Sequence, residues 1–122
     1  MKPVDLTLER EIQRDVIAFY ESVRCLVKPT SGGRKNGTRN APGMPDLYVL
    51  PPICRGLRRN NSWLQDQPFW HETKTPRGVQ SDMQAWWQYE CEQRGVGYVL
   101  GGTEAAIDYA RAIGLIAQPA PR

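Results

Sequence analysis

The sequence predicts an α/β fold, and three patterns in its 122 residues predict it. Apolar residues at helical spacing open the chain, two short segments with strand-like alternation follow, and a helix–strand–helix run closes it. Leu8, Ile12, Val16, Phe19 and Val23 describe one face of a helix from residue 6 to about 23. Glu9 and Gln13 border that face, whereas Glu11, Asp15 and Ser22 point elsewhere. A Gly-, Ser- and Asn-rich loop carrying Lys28, Arg34, Lys35 and Arg39 then leads to Asp46.

Leu47-Tyr48-Val49-Leu50 reads as the first short strand and Phe69-Trp70-His71-Glu72-Thr73-Lys74 as the second. Thr75-Pro76-Arg77-Gly78 is a turn, after which Ser81 and Gln84 match a capping box and open an amphipathic helix through about Arg94. Met83, Trp87 and Glu90/Cys91 follow helical spacing, so most of this helix is expected to enter the core. Trp86 has two readings, core or an anchor facing DNA or a partner. Gly95 caps the helix, Val96 to Leu100 form a strand, and a last helix runs from Thr103 to Ile113 after Gly101-Gly102. A chain of this length with 40% hydrophobic residues supports one core, expected over residues 1–116, with a flexible tail at 117–122.

Alternation along the second strand puts Glu72 and Lys74 on one face, about 6.6 Å apart. Were the two strands to pair as neighbours, Asp46 would sit beside Glu72 at the sheet end, gathering two carboxylates and an ammonium around one point. That set suits phosphodiester hydrolysis. Magnesium takes one or two protein carboxylates and fills its remaining positions with water and phosphate oxygens. Asp46 and Glu72 are the candidate ligands, the backbone carbonyl of Thr73 is a third oxygen, and Lys74 would orient the attacking water or stabilise charge on the phosphorane. Glu9, at the rim of the helical stripe, is the candidate further carboxylate; its alternative role is to favour the helix N-terminus electrostatically. Gln84 has two competing roles, reciprocal capping of Ser81 or a hydrogen bond into the site. His71 alternates to the opposite face and reads as a packing or surface residue.

Net charge is +3, so the distribution of charge is more telling than its sum. Lys28, Arg34, Lys35, Arg39 and Arg77 flank the carboxylates and are the candidate DNA-binding residues; Arg55, Arg58 and Arg59 lie in the long stretch from Pro51 to Pro68. The bland alternative for each basic run is a solvated loop. Three cysteines, Cys25, Cys54 and Cys91, are far apart and form no CxxC or Cys/His cluster, which argues against zinc and against a disulfide scaffold. No apolar run approaches a membrane span and no signal-peptide pattern opens the chain, so a cytoplasmic protein without a membrane partner is expected.

With these residues in place, the chain resembles the VRR-NUC (virus-type replication-repair nuclease) domain of the PD-(D/E)xK nuclease superfamily. The likeness runs over about residues 7–113 and is carried by Glu9 with Ile12-Gln13, Pro42 to Leu47, Glu72-Thr73-Lys74 with Gly78, Ser81 to Gln84 with Trp87, Gly95 to Tyr98, and Ala105 to Ile107. The resemblance implies a restriction-endonuclease-like core, a helix followed by a mixed β-sheet with flanking helices. It implies metal binding by the residues matching Asp46 and Glu72, catalysis by the one matching Lys74, and completion of the site by Glu9 and Gln84. A shift of register in Glu9-Arg10-Glu11 would make Glu11 the helix carboxylate instead. The implied activity is a Mg2+- or Mn2+-dependent endonuclease in DNA repair or recombination. The small stand-alone members it is most similar to, carried by phages and bacteria, look like homodimers that resolve four-way (Holliday) junctions. A two-fold pair also matches the two strands such a junction presents. The alternatives are a flap or nicking endonuclease of the same fold and a non-catalytic module that binds branched DNA.

Overall fold

The computed structural model describes residues 6–30, 43–52 and 67–117. Arg34, Lys35 and Arg39, the arginines at 55, 58 and 59, Cys54 and the tail from 118 onward lie outside them. The described elements are α1 (Leu6–Ser22), β1 (Leu26–Pro29), β2 (Leu47–Leu50), β3 (Phe69–Thr73), α2 (Asp82–Gln93), β4 (Gly97–Gly101) and α3 (Thr103–Ala112). They form an α/β fold with one four-stranded mixed sheet in the order β1-β2-β3-β4. Strands β1, β2 and β3 pair antiparallel, whereas β3 and β4 are parallel. Parallel neighbours need a long crossover, which α2 supplies.

Alternation along the strands separates two faces of the sheet. On one face Val27, Leu47, Val49, Phe69 and Val99 are buried with Val16 and Tyr20 of α1, Ala106 of α3 and Ile113 just beyond it. Complete burial of a side chain such as Phe69 or Leu47 stabilises the fold by about 1.5–3 kcal/mol. Tyr20 and Tyr109 both pack their rings on Phe69. Gly97 permits the close approach of α3, because a Cβ there would lie 2.2 Å from Tyr109 Oη. On the other face Trp70 contacts Tyr48 of the neighbouring strand and Trp87 of α2.

Three expectations change. Lys28 is not in a loop: it stands on β1, exposed and opposite Tyr48. Arg24, at φ 71, ends the α1 segment, and the short edge strand that follows takes its order from pairing with β2. Pro29, with no N–H to give the ladder, is tolerated at the end of such an edge strand. Along α1, Leu8 is exposed while Tyr20, outside the expected stripe, is fully buried. Most surprising is α2, whose only buried residue is Cys91; Met83, Trp86 and Tyr89 are exposed. A 3.6-residue period shows which apolar groups share a helix face but not whether another element covers that face.

The boundaries of α2 follow local chemistry. Ser81 is its N-cap in a complete capping box. At the other end Gly95 takes a φ of 72, and the Val96 N–H reaches back to the Cys91 carbonyl at 2.8 Å, a Schellman closure.

Candidate active site

Asp46 is the residue immediately before β2, and Glu72 is the fourth residue of β3. The register pairs Leu47 with His71, so one step further along the antiparallel ladder Asp46 falls opposite Glu72. The Asp46 side chain takes over a ladder position there: its Oδ2 accepts from the Thr73 backbone N–H at 3.0 Å. Its own main chain is held from the far side, where the Thr30 N–H donates to the Asp46 carbonyl at 2.7 Å. The turn before it needs Gly43, which has φ 80 and whose hypothetical Cβ would lie 2.5 Å from the Met83 backbone. Asp46 is thus pinned between β1, β3 and the first turn of α2.

Glu72 is 2% exposed, and its two oxygens have different surroundings. Oε2 accepts from Gln84 Nε2 at 2.8 Å and lies 4.0 Å from Lys74 Nζ. Oε1 is buried and meets no hydrogen-bond donor among the described residues. Burial first, then the charge of Asp46, raise the Glu72 pKa from 4.5 to about 8; Lys74 opposes the rise and Glu9 adds to it. Asp46 is raised as well, by burial and by Glu9, against the lowering effects of the Thr73 amide and Lys74. The Lys74 stem lies along Gly78, where a Cβ would come within 3.2 Å of Lys74 Cδ.

Gln84 resolves its two competing readings by serving both. Its Oε1 accepts from the Ser81 N–H at 2.9 Å while its Nε2 donates to Glu72. One amide has a carbonyl and an amino end, and here each end has its own partner.

Glu9 is half-buried and acts electrostatically on both carboxylates, whereas Glu11 is exposed. Glu9 belongs to α1, on the face of the sheet opposite Glu72. Among the described residues no three His, Cys, Asp or Glu side chains gather into a ready-made metal cage. Thr73 reaches the site through its N–H, and its hydroxyl is buried with no hydrogen-bond partner among the described residues. Of the candidate DNA-binding residues, Lys28 and Arg77 are exposed, Arg77 in the turn that follows Lys74.

His71 is fully buried in the core, the packing half of its expected alternatives. Its Nδ1 pairs with Tyr20 Oη at 2.6 Å and its Nε2 with the Gly101 carbonyl at 2.9 Å. Since the carbonyl only accepts, Nε2 carries the proton and Nδ1 accepts from Tyr20. Sequence reading missed this contact and also Gln80, whose Nε2 donates to Gln88 Oε1 at 3.0 Å and to Tyr98 Oη at 3.4 Å. An amide just before an N-cap was the one available signal.

The donor set fits a hard divalent cation. Magnesium asks for one or two protein carboxylates and leaves other positions to water. The pair Asp46 and Glu72 meets that demand, and the unpaired Glu72 Oε1 supplies a specific oxygen for it. No family model, curated protein or solved structure gave a significant match to this chain.

Proposed function

We propose that the chain is a metal-dependent, structure-selective DNA endonuclease with a PD-(D/E)xK core of the stand-alone VRR-NUC kind, acting as a homodimer on four-way junctions. The observation that carries this reading is the convergence, at two adjacent strand ends, of Asp46, the buried Glu72 with an unpaired oxygen, and the Lys74 ammonium. A buried carboxylate beside a half-buried one, both with raised pKa values, is costly in isolation, and a cation offsets that cost.

Asp46 and Glu72 would hold Mg2+ or Mn2+, which when bound polarises a phosphodiester and acidifies a water. The other residues have separable tasks. Thr73 N–H and Gln84 Nε2 aim the two carboxylates, each through one hydrogen bond to one oxygen. Lys74, largely enclosed yet not hydrogen-bonded to Glu72 at 4.0 Å, is free to turn toward a phosphate oxygen or the attacking water. Glu9 adds negative charge that strengthens cation binding. Lys28 and Arg77, both exposed, would hold flanking phosphates; Arg34, Lys35 and Arg39, candidates by sequence for the same task, lie outside the described residues. A cytoplasmic setting in a bacterial or phage-infected cell accords with this chemistry, and among the described residues no helix is long and apolar enough to cross a membrane.

The test is Mg2+- and Mn2+-dependent cleavage of labelled four-way junction, flap, splayed-arm and linear duplex DNA, with products mapped on both strands. Wild type should cut the junction in symmetric pairs, and Lys74→Ala and Asp46→Ala should lose roughly 10²–10³-fold or more while keeping native circular dichroism. Preferential flap or nick cutting would replace the junction reading within the same chemistry. Junction binding with no metal-dependent cutting would replace it with a binding module, and undiminished cutting by both variants would sink the assigned site.

A further inference from the structure

We propose that Gln80 is a positioning residue, the pin that sets Lys74 and Gln84 against Glu72. This rests on the nuclease reading for its catalytic consequence. Its structural part rests on geometry alone.

The need for a pin comes from how α2 is seated. The helix buries only Cys91, near its C-terminal end, and Trp87 packs on Trp70 one turn beyond Gln84. Met83, in the first turn, is exposed. Apolar burial therefore anchors the later half of α2, while its first turn, which carries Gln84, rests closely on the Gly43 backbone and is otherwise placed by polar contacts.

Besides the Gln84–Glu72 bond, those contacts run through Gln80. It is half-buried, one residue before the Ser81 N-cap and at the end of the turn that begins after Lys74. An amide NH2 has two hydrogens, and both are used: one goes to Gln88 Oε1 on α2 at 3.0 Å, the other to Tyr98 Oη on β4 at 3.4 Å. Gln88 is itself oriented, because its Nε2 donates to Glu92 Oε2 at 3.0 Å and so turns its carbonyl end toward Gln80. Tyr98 stands on β4 opposite Trp70, within the electrostatic field of Glu72 and Asp46, and burial together with those two carboxylates keeps its phenol protonated. One side chain thus ties the turn to a helix and to a strand.

Among the described residues the turn has few other hydrogen bonds to fix it to the sheet. It closes on itself through the Gly78 N–H and the Thr75 carbonyl at 2.9 Å, and Gly78 lies against the Lys74 stem. Beyond Gln80 the chain passes directly into the capping box that orients Gln84. Moving Gln80 would move Gly78 on one side, releasing Lys74, and Ser81 on the other, turning the amide that holds Glu72. Displacements near 1 Å are enough to cost an active site much of its rate.

The experiment compares wild type, Gln80→Leu, Gln88→Leu and the double variant. Leucine keeps bulk and removes the amide. Two readouts are taken: amide hydrogen exchange over residues 75–84 in the free protein, and kcat and KM for metal-dependent cleavage of a four-way junction. Each single variant should exchange about 10-fold faster in that segment and lose about 10-fold in kcat, with KM within 2-fold of wild type. The double variant should lose no more than Gln80→Leu alone, because that substitution already removes the contact to Gln88 along with the one to Tyr98. Unchanged exchange, or a loss confined to KM, or additive losses would each overturn the proposal. If wild type cuts no DNA, the catalytic role falls with the nuclease reading, while the exchange measurement still decides whether Gln80 holds the turn.

Discussion

His71 and Glu72 are neighbours on one strand, both buried, and their side chains point to opposite faces of the sheet. On the α1 and α3 face His71 has both ring nitrogens engaged, and burial lowers its pKa to about 4, so it is neutral. On the α2 face Glu72 has one oxygen engaged and one without a partner among the described residues, and burial beside Asp46 raises its pKa to about 8. The comparison separates a polar group whose hydrogen bonds are complete from one with an oxygen left over among the described residues. Burial alone does not distinguish them; satisfaction does.

The largest effect that would break the contrast is a loss of the core side. His71→Ala leaves Tyr20 Oη and the Gly101 carbonyl without their partner and opens a cavity, so unfolding in urea should show a loss of about 3–5 kcal/mol. A loss under 1 kcal/mol would mean that the histidine is not a core strut. Gly43→Ala attacks the other side: with φ 80 and the Met83 backbone 2.5 Å from the new Cβ, it should cost about 1–3 kcal/mol and shift the first turn of α2 away from Asp46. Thermal unfolding together with cleavage rates would register both consequences.

The smallest effect sharpens the comparison most, because the two groups act on stability in opposite senses. His71 titrates at 6.5 when unfolded and near 4 when folded, so its contribution is present above about 6.5 and is lost as pH falls toward 4. Glu72 runs the other way: its folded pKa is raised from 4.5 to about 8, so stability is lost as pH rises through that window. Without metal, Tm should change little between about 4.5 and 6.5, where the slopes oppose, and should fall between about 6.5 and 8. Glu72→Gln should remove that fall and raise Tm at pH 8 by a few degrees. Adding Mg2+ should restore Tm in wild type and not in the variant; a fall that persists in Glu72→Gln would assign it to another group.

The candidate site was legible in the sequence to the extent that its spacing is local. Glu72 and Lys74 share a face because strand side chains alternate, and Ser81 with Gln84 announces a helix start because a capping box has only two residues between its ends. Residues that meet across the fold were harder to read. Tyr20 and His71 are 51 positions apart, and only packing of α1 on the sheet makes the imidazole a core group. Strand β1 is brief and includes Pro29; its sequence has the look of a loop because its order comes from pairing with β2.

By itself the sequence determined which residues are periodic, capped or turned: α1, β2, β3, the start and stop of α2, and the alternation that separates Glu72 from His71. These follow from interactions a few residues long, which hold in any tertiary setting. Only the tertiary structure decided that Asp46 lies opposite Glu72, that α2 leaves Met83, Trp86 and Tyr89 in solvent, and that Gln84 can cap its helix and hold Glu72 at once. Those outcomes depend on which elements come to rest against one another, and a pattern within one segment carries no record of its neighbours across the fold.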